Sequence, residues 1–295
     1  MVIGALFVAL LKNLSGKVPK AFSPDRNLSP GQGKSRQQMT LKFVTFNTNS
    51  VRARLPLILE WLDREQPDVL CLQETKVQDK DFPSVPFEKA GYRAVFRGQK
   101  SYNGVAVVSK IPPGKIRRNL YDDEDQQARF MSMKLQDIQM INVYVPQGFQ
   151  VGTDKFDYKL TWLRDLLDHI KENYDPAQPL LLAGDFNIAL EDMDVYDPDT
   201  FRGGVCFHPD EQALLQEFLD WGFVDILRKH EPGGGHYTFW DYRIPNAFKR
   251  KMGWRIDYIL ATPPLAERSR KAWIDTQARL SEKPSDHTFL VAEFR

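Results

Sequence analysis

Gly184-Asp185-Phe186-Asn187 closes the apolar stretch Pro179–Ala183 and puts a carboxylate and a carboxamide two residues apart, at the rim of a buried strand. Phe46-Asn47-Thr48-Asn49 and Leu72-Gln73-Glu74-Thr75-Lys76 follow two other apolar stretches in the same way. Ser285-Asp286-His287 and Arg255-Ile256-Asp257-Tyr258 each open one. The runs supply four carboxylates, three asparagine amides and one imidazole, which is the kit for metal-assisted phosphodiester hydrolysis. A phosphodiester resists attack because its oxygens are negative and its leaving group is poor. Catalysis therefore needs a neutralising cation, an oriented water and a stabilised departing oxygen. Hard oxygen donors select Mg²⁺, with Mn²⁺ able to substitute, over zinc.

These residues need a scaffold of strand ends. Leu41–Phe46, Val69–Leu72, Tyr92–Phe96, Gly104–Ser109, Arg129–Leu135, Met140–Val145, Leu180–Ala183, Tyr237–Tyr242, Ile256–Ala261 and His287–Phe294 read as strands. A helix is expected up to Glu65, with Ser50 and Pro56 as its start signals and Gln66-Pro67-Asp68 as its stop. Lys155–Tyr174 carries Phe156, Leu160, Leu163, Leu167 and Ile170 at helical period. Pro209–Trp221 has Pro first, two acids in its first turn and Gly222 at its exit. Many strands with a few long helices predict an α+β fold, with two packed sheets flanked by helices. Asn47, Glu74, Asp185 and Asn187 follow strands, whereas Asp257 and His287 begin them. They share one rim only if some of the strands run antiparallel to the others.

The chain has 295 residues, ordinary hydrophobic content and a net charge of +1, so overall charge announces no nucleic-acid partner and local patches must hold one. Arg243–Arg255 is the candidate patch, with five basic residues and no acid. Two cysteines, Cys71 and Cys206, suggest neither a disulfide framework nor a zinc site, and a reducing compartment is the default. Met1–Leu11 is apolar but too short to span a bilayer, and it lacks a basic n-region. Residues 1–40 are expected to stand outside the core, as a mis-assigned start before Met39, a targeting segment or a disordered arm.

Seven motifs occur in an order and spacing that resemble one family: residues 46–52, Leu72–Lys76, Asn103–Ala106, Tyr144–Gly148, Gly184–Asn187, Trp254–Tyr258 and Lys283–His287. From Leu41 to Arg295 the chain is similar to the exonuclease III type of apurinic/apyrimidinic endonuclease, within the endonuclease/exonuclease/phosphatase superfamily that includes deoxyribonuclease I. The resemblance implies a four-layer sandwich over residues 41–295, a Mg²⁺ requirement and DNA repair. The expected reaction is incision 5′ to an abasic site, with 3′–5′ exonuclease or 3′-phosphodiesterase action on double-stranded DNA. A monomer with no membrane attachment is expected, cytoplasmic and nucleoid-associated if the protein is bacterial. Trp254 stands where the bacterial exonuclease III type often has an aliphatic residue, which leaves the balance of the two activities open.

Each polar residue then takes an expected role. Glu74 is the first choice of metal ligand, with Asn49, Asp257 and Asp286 as close candidates and Asp185, Asn187 and His287 also in the set. Asp185 orients or deprotonates the attacking water. Asn187 holds that water or the phosphate, and Asn47 donates to Asp185 or to the phosphate. His287, oriented by Asp257, donates to a non-bridging oxygen, and Tyr144 stabilises the leaving oxygen or positions the phosphate. Phe239, Trp254 and Ile256 resemble the family's pocket for the bare sugar. Lys76, Tyr102 and Asn103 are expected at the DNA backbone, and Arg243 in the groove beside the lesion. Two alternatives stay open: another superfamily phosphoesterase, such as an inositol-phosphate phosphatase, a sphingomyelinase or a deadenylase, and a DNA-binding relative without turnover.

Overall fold

Twelve strands form two six-stranded sheets in a computed structural model that describes residues 40–120 and 127–295. In chain order they are β1 Leu41–Asn47, β2 Val69–Gln73, β3 Arg93–Arg97, β4 Val105–Ser109, β5 Ile116–Arg117, β6 Phe130–Leu135, β7 Ile138–Tyr144, β8 Leu180–Asp185, β9 Val224–Asp225, β10 Asp257–Ala261, β11 Ser269–Asp275 and β12 Phe289–Phe294. One sheet has the order β11-β12-β1-β2-β4-β3 and the other β5-β6-β7-β8-β10-β9. Each is mixed: β1–β2 and β7–β8 are parallel and their other pairs antiparallel.

Period-2 alternation explains the layering. Phe43, Cys71, Leu181 and Ile259 point into one core shared by both sheets. Their neighbours Val44, Leu70, Leu182 and Leu260 point outward and are buried too. The helix Val51–Glu65 covers the first outer face with Ile58, Trp61 and Leu62. Helices Asp154–Asn173 and Pro209–Trp221 cover the second with Phe156, Leu163, Leu167, Leu215 and Phe218. Strands covered on both faces read as continuous apolar runs, which is why the central ones were legible. The result is the expected four-layer sandwich.

Local chemistry sets the helix limits. Gln66 caps the first helix in the left-handed region (φ 48) and Pro67 cannot continue it. Pro56 lies inside that helix rather than at its start, so Ser50 alone marks the entry. Pro209 opens the helix Pro209–Trp221, and Glu211 accepts from the His208 amide in a reciprocal cap.

Tyr237–Tyr242 is not a strand. Phe239 makes one bridge to Trp254 and one to His287, and the Thr238 hydroxyl accepts from the amides of Ile256 and Asp257 at 3.2 Å each. The segment wedges between two neighbours instead of extending either sheet. β11 went unseen because it is a half-polar edge strand, bulged between Ser269 and Lys271 and paired only with β12. No helix among the described residues is long and apolar enough to cross a membrane. The expected extension at residues 1–40 lies outside the described residues, apart from Thr40.

Candidate active site

Asn47 ends β1 and Glu74 directly follows its parallel neighbour β2. Asp185 ends β8 and Asp257 opens β10, and the two stand opposite each other in the antiparallel register. His287 lies two residues before β12, which runs against β1. Strand ends and strand starts thus share one rim. Gly184 makes the close passage of β8 possible: its φ is +149, and a Cβ there would lie 2.0 Å from the Val143 carbonyl oxygen.

Asn47 is the hub. Its Nδ2 donates to Glu74 Oε1 and to Asp185 Oδ2, each at 2.8 Å. Its Oδ1 accepts from the Asn49 amide at 2.9 Å. Asn187 turns with φ 51, its backbone N–H donating to Asp185 Oδ1 at 2.8 Å and its side chain to the Val145 carbonyl at 3.1 Å. His287 places Nδ1 2.8 Å from Asp257 Oδ2 and Nε2 3.7 Å from Asp185 Oδ2. Ser285 donates to the Asn47 carbonyl at 2.8 Å, which ties the His287 loop to β1. Asn49 donates to Asp286 at 3.1 Å, and Lys76 Nζ lies 2.5 Å from Asn49 Oδ1 and 2.7 Å from Glu74 Oε2.

Burial raises Asp185 to about 7, with the Asp257 charge adding and the His287 charge opposing. Burial alone would lower His287, but Asp257 and Asp185 carry it up to about 10, so the ring is an imidazolium at neutral pH. Burial works to raise Glu74, and Lys76, Asn47 and His287 outweigh it, so the carboxylate ends below its ordinary value. Burial and then the charges of Glu74 and Asp185 hold the Tyr144 hydroxyl well above its usual value, as a neutral donor.

Donor atoms of Glu74, Asp185 and His287 lie within 4.8 Å of one another. Two of the three are hard carboxylate oxygens, with Asn49, Asn187 and Asp286 alongside, a set that fits a hard divalent cation. The imidazolium of His287 is a donor in this state, so the oxygens are the better ligands.

A cleft of about 750 Å³ opens over the cluster, lined by Glu74, Tyr144, Asn187, Asp286 and His287 on its polar side. Phe239, Trp254 and Ile256 form an apolar wall, with the Phe239 ring 4.9 Å from that of His287. Arg243 stands at the edge, 89% exposed and paired with Asp241 at 2.6 Å. Asn47, Asp185 and Asp257 are buried beneath.

Three residues expected at DNA lie away from the cleft wall. Lys76 serves Glu74 and Asn49, Tyr102 is 70% exposed, and the buried Asn103 amide donates to Gln99 and Gln127. The basic run Arg243–Arg255 is not one surface patch: Arg255 is buried and paired with Asp194 and Asp225. Sequence reasoning assigned no role to Gln147, Phe149, Phe201 and Cys206, which also line the cleft. It also missed Lys159, fully buried, which donates to the Asn187 carbonyl at 2.7 Å and pairs with Glu211 at 2.5 Å. A lysine one residue from Leu160 on the apolar face of its helix was the available signal.

Residues 44–287 match the model of the Endonuclease/Exonuclease/phosphatase family. Exodeoxyribonuclease III of Haemophilus influenzae is 37% identical over 86% of this chain and its own full length. The structure of an AP endonuclease from Archaeoglobus fulgidus superposes with a TM-score of 0.84 at 45% identity, over 86% of this chain and 99% of that one. A 3′ phosphatase from Neisseria, solved with a product DNA hairpin, gives 0.82 at 36% identity, over the same shares. With strand order, rim cluster and these likenesses in agreement, the chain belongs to the Endonuclease/Exonuclease/phosphatase family and, within it, to the exonuclease III type of AP endonuclease.

Proposed function

We propose that the chain is a Mg²⁺-dependent DNA repair nuclease that hydrolyses the phosphodiester 5′ to an abasic site and also trims blocked or damaged 3′ ends. The observation that carries this reading is the juxtaposition of the Glu74–Asn47–Asp185–His287–Asp257 cluster with the apolar wall of Phe239, Trp254 and Ile256 in one cleft. An abasic nucleotide leaves the stack cheaply because it has no base to unpair. The apolar wall of Phe239, Trp254 and Ile256 gives the bare sugar a face to pack against and offers no partner to the polar edge of a base.

Glu74 with Asn49, Asp286, Asp185 and Asn187 would hold the metal, which when bound neutralises phosphate charge and eases loss of the leaving oxygen. Asp185, raised to about 7, is tuned to take a proton from the attacking water near neutral pH. Asn47 and Asn187 fix that carboxylate through their hydrogen bonds. His287, held charged by Asp257, donates to a non-bridging oxygen as negative charge builds there. Tyr144, kept neutral, positions the phosphate. We assign DNA-backbone contacts to Lys76, Tyr102 and Asn103, and a groove contact to Arg243.

The test uses duplex DNA with one central abasic-site analogue, with and without Mg²⁺, beside an undamaged duplex with a recessed 3′ end. Mg²⁺-dependent incision 5′ to the analogue, lost in Asp185→Ala, is the expected result. Resection of the second duplex sets the exonuclease share. A folded protein that cleaves neither sinks the proposal.

A further inference from the structure

Among the described residues, Phe149 is the one cleft-lining aromatic that points largely into solvent, at 63% exposure. Its backbone is held at φ 59, a region bulky residues rarely occupy. Two hydrogen bonds lock the turn: the Phe149 amide donates to Gln147 Oε1 at 2.7 Å and the Gln150 amide to the Gly148 carbonyl at 2.7 Å. Such conformations cluster at ligand clamps, where the surrounding structure holds them in place. The ammonium of Lys155, from the first turn of the neighbouring helix, lies 4.8 Å from the ring centroid. The fold therefore holds an exposed aromatic ring, with a cation over one of its faces, at a cleft whose floor is polar.

We propose that Phe149 is a stacking platform for an unpaired or frayed nucleobase next to the scissile phosphate, with Lys155 beside it for the adjoining backbone phosphate. This rests on the DNA reading above. A flat ring with a neighbouring cation matches one nucleotide: a base has a π-face whatever its identity, and its phosphate is anionic. The bare sugar has its own wall at Phe239, Trp254 and Ile256, so Phe149 serves a different nucleotide. A base inside intact duplex presents no free face. The platform therefore favours DNA already unstacked, beside a lesion or at a 3′ end.

The experiment uses duplexes with an abasic-site analogue and 5-iododeoxyuridine at each flanking position in turn, in metal-free buffer. Long-wavelength irradiation couples the iodinated base to an aromatic ring stacked on it, and mass spectrometry of the peptides locates the adduct. The expected result is an adduct at Phe149 from one flanking position. Phe149→Ala should bind the duplex roughly tenfold more weakly, within the range for loss of one base–aromatic stack. Phe149→Trp should restore affinity, while Phe149→Leu, which keeps bulk without a π-face, should not. Parent-like binding by Phe149→Ala or Phe149→Leu, or no adduct at Phe149, in a protein that still incises the abasic duplex, overturns the platform alone. Failure of the parent to bind or incise that duplex overturns the platform together with the function on which it rests. The circular dichroism of each variant is checked first.

Discussion

Asp185 and Asp257 are direct partners across β8 and β10, and the His287 ring is in contact with both. Register alone brings two buried carboxylates together from residues 72 apart in sequence, and charge repulsion would drive one of them to bind a proton. His287 supplies the compensating cation. The hydrogen bond from its Nδ1 faces Asp257 and leaves Nε2 toward the cleft side, near Asp185.

The first consequence concerns pH. With His287 raised to about 10, the metal-free protein should show no imidazole titration at that residue between pH 6 and 8 by NMR. Its folded value exceeds 6.5, so its contribution to stability is complete below pH 6.5 and is lost as pH rises through about 10. Asp185, raised from 3.8 to about 7, acts with the same sign in a lower window, its contribution being lost as pH rises through about 7. Urea midpoints of the metal-free protein should therefore fall between pH 7 and 10, and fall less in His287→Gln. Asp257→Asn removes the partner that most raises the ring and should bring its titration down toward neutrality. An ordinary histidine titration in the parent would contradict the geometry.

Loss of a donor to the developing charge is expected to cost rate rather than fold. His287→Ala and Asn187→Ala should each lower kcat by roughly 10²–10³, about 3–4 kcal/mol of transition-state stabilisation. Single-turnover rates on the abasic duplex, with thermal midpoints alongside, check this. Full activity in His287→Ala would remove that residue from the chemistry.

Gly184 gives a test of why the motif begins with glycine. Gly184→Ala must relieve a 2.0 Å contact with the backbone oxygen of a central strand, and should cost at least about 2 kcal/mol in urea unfolding. Gly152 also has positive φ (+79) but nothing within 4 Å of a Cβ, so Gly152→Ala should cost only about 1 kcal/mol. Equal costs would mean that conformation alone, and not the approach to Val143, selects glycine.

The pattern of what the sequence disclosed follows from physics. Strands β1, β2, β8 and β10 were readable because both faces are covered, and their polar ends stood out against apolar runs. The mixed strand directions followed from requiring Asp257 and His287 to meet Asp185. β5 and β9 have two residues each, and β11 is a half-polar edge, so no periodicity marked them. Phe239 carried its aromatic signal into a false strand because single bridges to two neighbours look like strand in one dimension. Arg255 looked like surface charge because its partners, Asp194 and Asp225, lie 61 and 30 residues away. Phe149 had no visible role because exposure at a cleft built from residues distant in sequence is a purely tertiary fact.

Lys159 extends the site beneath its visible layer. Its ammonium and the Glu211 carboxylate are wholly buried, 2.5 Å apart, and join the two helices that flank the second sheet. The same ammonium donates to the Asn187 carbonyl at 2.7 Å, from below the turn that sets the Asn187 side chain. Lys159→Met leaves Glu211 as a buried carboxylate without its cation, which should cost roughly 3–5 kcal/mol. Lys159→Met with Glu211→Leu removes both charges and should recover much of that stability, since an apolar pair of similar volume tolerates burial. The double variant still lacks the donor under Asn187. We expect its fold to be restored while kcat on the abasic duplex stays low, measured by urea unfolding and single-turnover cleavage on the same preparations. Recovery of stability and rate together would make the pair a packing element only, with no part in holding the Asn187 turn.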